Sequence, residues 1–170
     1  MKTILILGGY GYTGKFLARY LLKQTDVNII ISGRNLEKAK SFADELNDPR
    51  VSVRQVDATD FNSLTQALQP STLRQAQGDA SLRPSLCLVA APITHHAETV
   101  IRACLDARVD YLDVQFSSMK LKGLYAAENE IKQAGLCFVT EAGFHPGLPA
   151  ALIRYAATKL DCIESAFTAG

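Results

Sequence analysis

A chain of 170 residues with net charge +1 and 48% hydrophobic residues is sized for one compact domain with a real core. So balanced a charge argues against a polyanionic partner, and aromatics at 8% that do not alternate with basic residues argue against a nucleic-acid surface. No apolar run approaches the roughly 20 residues of a membrane span, and the first strand starts at the N-terminus with no signal peptide ahead of it, so a cytoplasmic protein without membrane contact is expected.

The first predicted element is an apolar strand, Thr3–Leu7, that stops at glycines. Gly9, Gly11 and Gly14 have the G-x-G-x-x-G spacing, with Gly8 ahead of it, and a helical pattern over Tyr12–Gln24 follows at once. Strand, tight turn and helix in that order are the context a dinucleotide fingerprint requires. One glycine allows the sharp turn, a second lets the backbone approach a pyrophosphate, and the third lets helix and strand pack closely. The free N–H groups at the helix start hold phosphate oxygens. Gly9, Tyr10, Gly11, Tyr12, Thr13 and Gly14 are therefore cofactor-binding candidates.

The second strand, Val27–Ile31, leads into Ser32, Gly33 and Arg34. A site that prefers NAD carries Asp or Glu here, to accept from the ribose hydroxyls. A hydroxyl at Ser32 and a guanidinium at Arg34 instead suit a 2′-phosphate, which the guanidinium fork can bond in a bidentate, charge-assisted way. The segment predicts NADP(H) over NAD(H). A helix over Leu36–Leu46 follows, with Asn35 as its N-cap. The third strand, Val51–Val56, ends at Asp57 and Ala58. Asp57 can accept from the adenine amino group, or serve as a turn or cap residue.

After a helix over Phe61–Leu68, the stretch 69–85 is polar, rich in Gln, Ser and Ala, and has a proline near each end. Helix-to-strand loops in such folds have about 2–6 residues, so it reads as a disordered surface insertion. The fourth strand, Leu86–Ala90, ends in Ala91 and Pro92, small enough for the diphosphate and ribose to pass close to the backbone. A helix over Thr94–Ala107, with Thr94 as N-cap, opens with His95 and His96. Imidazoles titrate near neutrality, but neither has an evident orienting partner, so both read first as solvent-facing.

The fifth strand, Val109–Val114, leads to Asp113 and Gln115, which would touch substrate or cap the next helix. That helix, Ser118–Ala134, has Ser117 or Ser118 at its start and Gly135 just past its end. The sixth strand is Leu136–Thr140, followed by a Gly/Pro-rich turn holding His145, a helix over Pro149–Leu160, and a strand-like run, Cys162–Phe167. Cys87, Cys104, Cys137 and Cys162 form no C-x-x-C pair and read as reduced core residues. No cluster has metal-ligand spacing and no Tyr-x-x-x-Lys pair is present, so the catalytic residues stay unassigned.

Short apolar strands alternating with amphipathic helices indicate an α/β fold. A doubly wound parallel sheet of Rossmann type is expected, with about six strands in the order 3-2-1-4-5-6 and helices on both faces.

Together these motifs give the chain a family likeness. It resembles the NADP-binding domain of the saccharopine dehydrogenase family through Gly8 to Gly14, Ser32-Gly33-Arg34, Val56-Asp57-Ala58, Ala90-Ala91-Pro92, Cys104 with Tyr111-Leu112-Asp113, and Glu141 to Pro149. The resemblance covers nearly all of the chain apart from 69–85. It implies that the glycine turn and the Ser-Gly-Arg segment hold NADP and that Asp57 and Ala58 contact the adenine. It also implies oxidoreduction of a small amino-acid-like or carbonyl or enoyl substrate. It divides the chain into a cofactor domain, 1–148, and the start of a truncated substrate domain, 149–170, with a homodimer through that missing domain as the candidate assembly. A non-catalytic NADP-sensing module, or the remnant of a truncated gene, is the alternative.

Overall fold

A computed structural model describes residues 2–69, 82–143 and 147–166. Most of the predicted insertion, and His145, lie outside the described residues. The strands are β1 (Thr3–Leu7), β2 (Asn28–Gly33), β3 (Val51–Gln55), β4 (Leu86–Val89), β5 (Asp110–Asp113) and β6 (Phe138–Val139). The helices are α1 (Tyr12–Gln24), α2 (Leu36–Leu46), α3 (Phe61–Leu68), α4 (Ala97–Ala107), α5 (Ser118–Ala126), α6 (Glu128–Gln133) and α7 (Leu148–Ala157). The strands form one six-stranded sheet in the order β3-β2-β1-β4-β5-β6, and every pairing is parallel. None of these helices is long and apolar enough to cross a membrane.

Side chains alternate across a strand, so an apolar run such as Ile4–Leu7 feeds two cores. Leu5, Leu7, Ile30, Cys87 and Val89 face α3 and α4, meeting Leu64, Leu68, Val100, Ile101 and Cys104; Leu124 and Ile131 of α5 and α6 pack on the same side. Ile4, Ile6, Ile29, Ile31, Val53 and Leu88 face α1 and α2, meeting Ala18, Ala39 and Phe42. The helices thus change face between β1 and β4. In such sheets ligands sit at that switch, beyond the carboxyl ends of the strands. Helix α1 comes close to the sheet because its buried positions are the small Gly14 and Ala18.

Several element boundaries differ from the sequence expectation. The helix expected from Thr94 begins three residues later: Thr94–His96 form a 3-10 turn, and Thr94 caps nothing. The long helix expected over Ser118–Ala134 is two helices meeting at Ala127, which is fully buried and still carries near-helical backbone angles. Ser117 is the cap, accepting from the Lys120 N–H, and Gly135 takes a positive φ of 66° as a helix-end glycine should. Within the expected strand at Cys162–Phe167, the described residues 162–166 form no strand. No described strand pairs with this run, and a strand without a ladder leaves its backbone groups unbonded. Cys87 and Cys104 are buried as expected, but Cys137 and Cys162 are exposed. Cys137 lies at the start of the short edge strand, and no residue of α7, which leads to Cys162, is buried.

Candidate dinucleotide-binding site

The turn after β1 is built by backbone alone. The Gly8 and Gly9 N–H groups both donate to the Ser32 carbonyl, at 2.9 and 3.0 Å, and the Gly11 N–H donates to the Gly8 carbonyl at 2.9 Å. Gly8 has φ +82°, and a Cβ there would lie 2.8 Å from the Ala91 Cβ. Gly14 is packed so tightly that a Cβ would collide with the Gly8 carbonyl and with Gly9. At Gly11 the only neighbour of such a Cβ is the Gly8 oxygen, at 3.1 Å. Two of these glycines serve the fold, and the third leaves open space beside the backbone.

Helix α1 starts at Gly11, which offers no side-chain cap. Among the described residues, the N–H groups of Tyr12, Thr13 and Gly14 have no backbone acceptor. A helix start with unsatisfied donors, bordered by a backbone that only glycine allows, fits a pyrophosphate. The dinucleotide expected from the sequence therefore suits the residues present. The Tyr12 ring itself is 83% exposed and stacks edge-on against Phe16 at 5.0 Å, so the residue's contribution at the turn is its N–H.

The end of β2 corrects one detail of the sequence reading. Ser32 is fully buried, and its hydroxyl donates to the Ile6 carbonyl at 2.9 Å. Its carbonyl accepts both glycine N–H groups, so Ser32 holds the turn in place rather than presenting a hydroxyl to a ligand. Arg34 is exposed, and its guanidinium makes no hydrogen bond or ion pair among the described residues. Its carbonyl accepts from the Gln55 side chain at 3.0 Å.

Tyr10 joins the two loops. Its hydroxyl accepts from the Asn35 N–H at 2.9 Å, and its ring covers Gly33 so closely that a Cβ there would come within 2.7 Å of it. Beside it runs a groove of about 390 Å³ lined by Tyr10, Lys15, Asn35, Lys38 and Phe42 among others. Sequence reading passed over Lys15 and Lys38. Each lies one turn into a helix that opens at the site, a placement that only the packing of α1 beside α2 makes meaningful.

Asp57 takes the turn role. Its Oδ1 accepts from both the N–H and the hydroxyl of Thr59, at 2.9 and 2.8 Å. These bonds, together with the nearby charges of Arg34 and His96, hold its carboxyl below the ordinary carboxylate range. Ala58 and Ala91 are half-buried against the first core, and Pro92 is exposed. His95 and His96 are both exposed, with no side-chain hydrogen-bond partner among the described residues.

At the other end of the sheet, Asp113 is a buried hub, 1% exposed. Its Oδ2 accepts from the Tyr111 hydroxyl at 2.6 Å and the Thr140 hydroxyl at 2.9 Å. Its Oδ1 accepts from Lys120 Nζ at 2.6 Å and the Gln115 N–H at 3.0 Å. Burial and the adjacent carboxylate push the Tyr111 phenol far up, so it stays a donor. Asp113 is therefore consumed in structure and does not face substrate. Lys120, which sequence reading missed, is 3% exposed and also donates to the Gln115 carbonyl.

Fold and site together define a doubly wound dinucleotide-binding domain. Residues 4–139 match the family described as saccharopine dehydrogenase NADP binding domain, and the chain belongs to that family. It is similar to the carboxynorspermidine synthase of Vibrio cholerae, 26% identical over 172 residues that cover 89% of this chain and 39% of that protein. It is also similar to the carboxyaminopropylagmatine dehydrogenase of Synechocystis, 23% identical, covering 92% of this chain and 38% of that one. The chain thus spans less than two fifths of these relatives. Among solved structures, apo saccharopine dehydrogenase (L-Glu forming) from Saccharomyces cerevisiae matches with a TM-score of 0.72 over 93% of this chain and 31% of that one. At 19% identity that likeness is one of fold.

Proposed function

We propose that this chain is the cofactor half of an oxidoreductase of the saccharopine dehydrogenase type, acting between NADP(H) and a small amino-acid-like or carbonyl substrate. The relatives named above, a carboxynorspermidine synthase and a carboxyaminopropylagmatine dehydrogenase, support a substrate that bears amino groups. The observation that carries cofactor choice is the exposed, unengaged guanidinium of Arg34 at the end of β2, where an NAD site would place a carboxylate.

In this reading the N–H groups of Tyr12, Thr13 and Gly14 hold the pyrophosphate, with Gly11 leaving room for it and Gly9 packed against Ile6 and Ile31 to shape the turn. Arg34 binds the 2′-phosphate, with Lys15 and Lys38 adding positive charge nearby. Asp57 and Ala58 border the adenine, and Ala91 and Pro92 line the passage at the end of β4. When bound, the nicotinamide supplies hydride transfer. The substrate wall belongs to the part of the relatives that this chain does not span, with 149–170 as its beginning.

Fluorescence titration with NADPH and NADH tests the assignment. NADPH binds more tightly than NADH, and Arg34→Glu weakens NADPH by about 1.5–3 kcal/mol, the scale of a lost charge-assisted bond. Equal affinities for the two nucleotides would refute it. In this reading the 170-residue chain binds NADPH but does not oxidise it in the presence of amino acids or ketones. Hydride transfer needs a substrate held within about 3.5 Å in a water-excluding site.

A further inference from the structure

Lys15 and Arg19 stand one turn apart on α1 and share one carboxylate. Arg19 holds Glu45 of α2 by a hydrogen-bonded ion pair. Lys15 Nζ stands off at 3.8 Å from Glu45 Oε2, an ion pair too long for a hydrogen bond. Its other neighbour is the ring of Phe42, with Nζ 4.8 Å from the centroid, and the Arg19 guanidinium lies over the same ring at 5.3 Å. Phe42 is 2% exposed and so forms a fixed platform, whereas the Lys15 side chain is 38% exposed. Two like charges therefore compete for one carboxylate and one ring, and Arg19 has the closer contact with the carboxylate. Among the described residues the Lys15 ammonium donates no hydrogen bond, although it carries three donors.

That ammonium borders a cavity. Lys15 and Phe42 line the groove of about 390 Å³ that also touches Tyr10, Asn35 and Lys38. Asn35 opens α2 and follows Arg34 directly. The one carboxylate in the lining, Glu37, is paired with Lys40 at 3.3 Å. The groove thus joins the resting place of Lys15, beside Phe42, to the start of α2, where Arg34 stands. A lysine has a flexible four-carbon stem and can exchange one anionic partner for another within its reach.

We propose that Lys15 is a movable specificity residue for the 2′-phosphate, and that Glu45 is the positioning residue that holds it back. The proposal rests on the reading of this end of the sheet as an NADP(H) site. When the phosphate enters beside Arg34, the Lys15 ammonium leaves Glu45 and Phe42 and donates to a phosphate oxygen. It gains a charge-assisted hydrogen bond that Glu45 does not give it at 3.8 Å. Glu45 keeps Arg19 and is not left unpaired. A ribose without the phosphate offers no charge, so Lys15 stays where it is. Glu45 therefore sets how strongly NADPH is preferred over NADH without touching either nucleotide.

Fluorescence titration of the whole chain with NADPH and with NADH tests this. Lys15→Met weakens NADPH about tenfold, the scale of one charge-assisted hydrogen bond, and leaves NADH within about twofold. Glu45→Gln tightens NADPH about two- to fivefold, the span of an exposed ion pair released, and leaves NADH unchanged. The double variant binds NADPH as Lys15→Met alone does, because both changes act through one ammonium. An unchanged ratio of the two affinities in Lys15→Met overturns the proposal. So does the absence of a gain in Glu45→Gln, or a gain that persists without Lys15, which marks a general field effect. Equal losses for both nucleotides in Glu45→Gln mark the ion pair as merely structural and overturn it as well. Failure of the unmodified chain to prefer NADPH, with Arg34→Glu silent, counts against the proposed function itself.

Discussion

Single atoms decide what the glycine turn tolerates. Glycines 11 and 14 belong to one motif but stand in different surroundings. A methyl at Gly14 would strike the Gly8 carbonyl and Gly9, whereas one at Gly11 would meet only the Gly8 oxygen, at 3.1 Å. Gly14→Ala should therefore destabilise the fold itself, by about 1–3 kcal/mol as an overpacked site does. Gly11→Ala should fold normally and lose NADPH. Thermal melting separates them: the original protein gains about 2.7 kcal/mol at a hundredfold excess of NADPH over its dissociation constant, and Gly11→Ala gains little. Tyr10 makes a second test. Its hydroxyl is the acceptor for the Asn35 N–H and its ring lies on Gly33. Tyr10→Phe keeps the ring contact and removes one bond, at a cost of about 0.5–1.5 kcal/mol. The loop bearing Arg34 then loses its tie to the glycine turn, so NADPH should lose more affinity than NADH. Equal losses would mean that Tyr10 does not position Arg34.

At the level of elements, one buried arginine ties strand, helix end and returning chain together. Arg54, on β3, is 6% exposed. Its guanidinium donates to the carbonyls of Ala67 at 2.5 Å and Gln69 at 3.3 Å, at the end of α3, and to that of Leu82 at 2.5 Å. A cation among the last carbonyls of a helix is favourable, and burial alone pulls the Arg54 guanidinium down from its usual range. One side chain thus holds the end of α3 and the chain at Leu82 together against β3. Arg54→Met should cost about 2–4 kcal/mol by denaturant unfolding, since several carbonyls lose their donor at once. Arg54→Lys should recover little of it, because one ammonium cannot reproduce the planar fork. Nothing in the sequence marked this residue; an arginine in a strand reads as a solvent-facing position.

For the whole molecule, stability is unevenly spread. The central strands are covered on both faces, whereas α7 has no buried residue and exposes Leu152, Tyr155 and Leu148 at 56%, 65% and 43%. A ten-residue helix without tertiary packing is marginal in water. Hydrogen exchange should find β1, β2 and β4 protected close to the global unfolding limit and α7 exchanging almost freely. Strong protection of α7 would show that it is covered in solution.

The sequence by itself determined the strand order, the extents of α1, α2 and α3, the glycine turn, the place of Arg34 and the cap at Asn35, and it narrowed the cap of α5 to Ser117 or Ser118. These follow from local rules: apolar period, glycine spacing and the residue types that satisfy free N–H groups, each read within a few residues. Tertiary structure alone decided the rest, because it concerns partners far apart in the chain. Ser32 became a buried brace through a carbonyl 26 positions away. Asp113 became a hub through Lys120 and Thr140, 7 and 27 positions on. Glu141 took a positive φ beside Asp113 through backbone contacts that no spacing announces. A side chain's donors and acceptors are set by what packs against it, and in a parallel sheet those neighbours always arrive by a crossover.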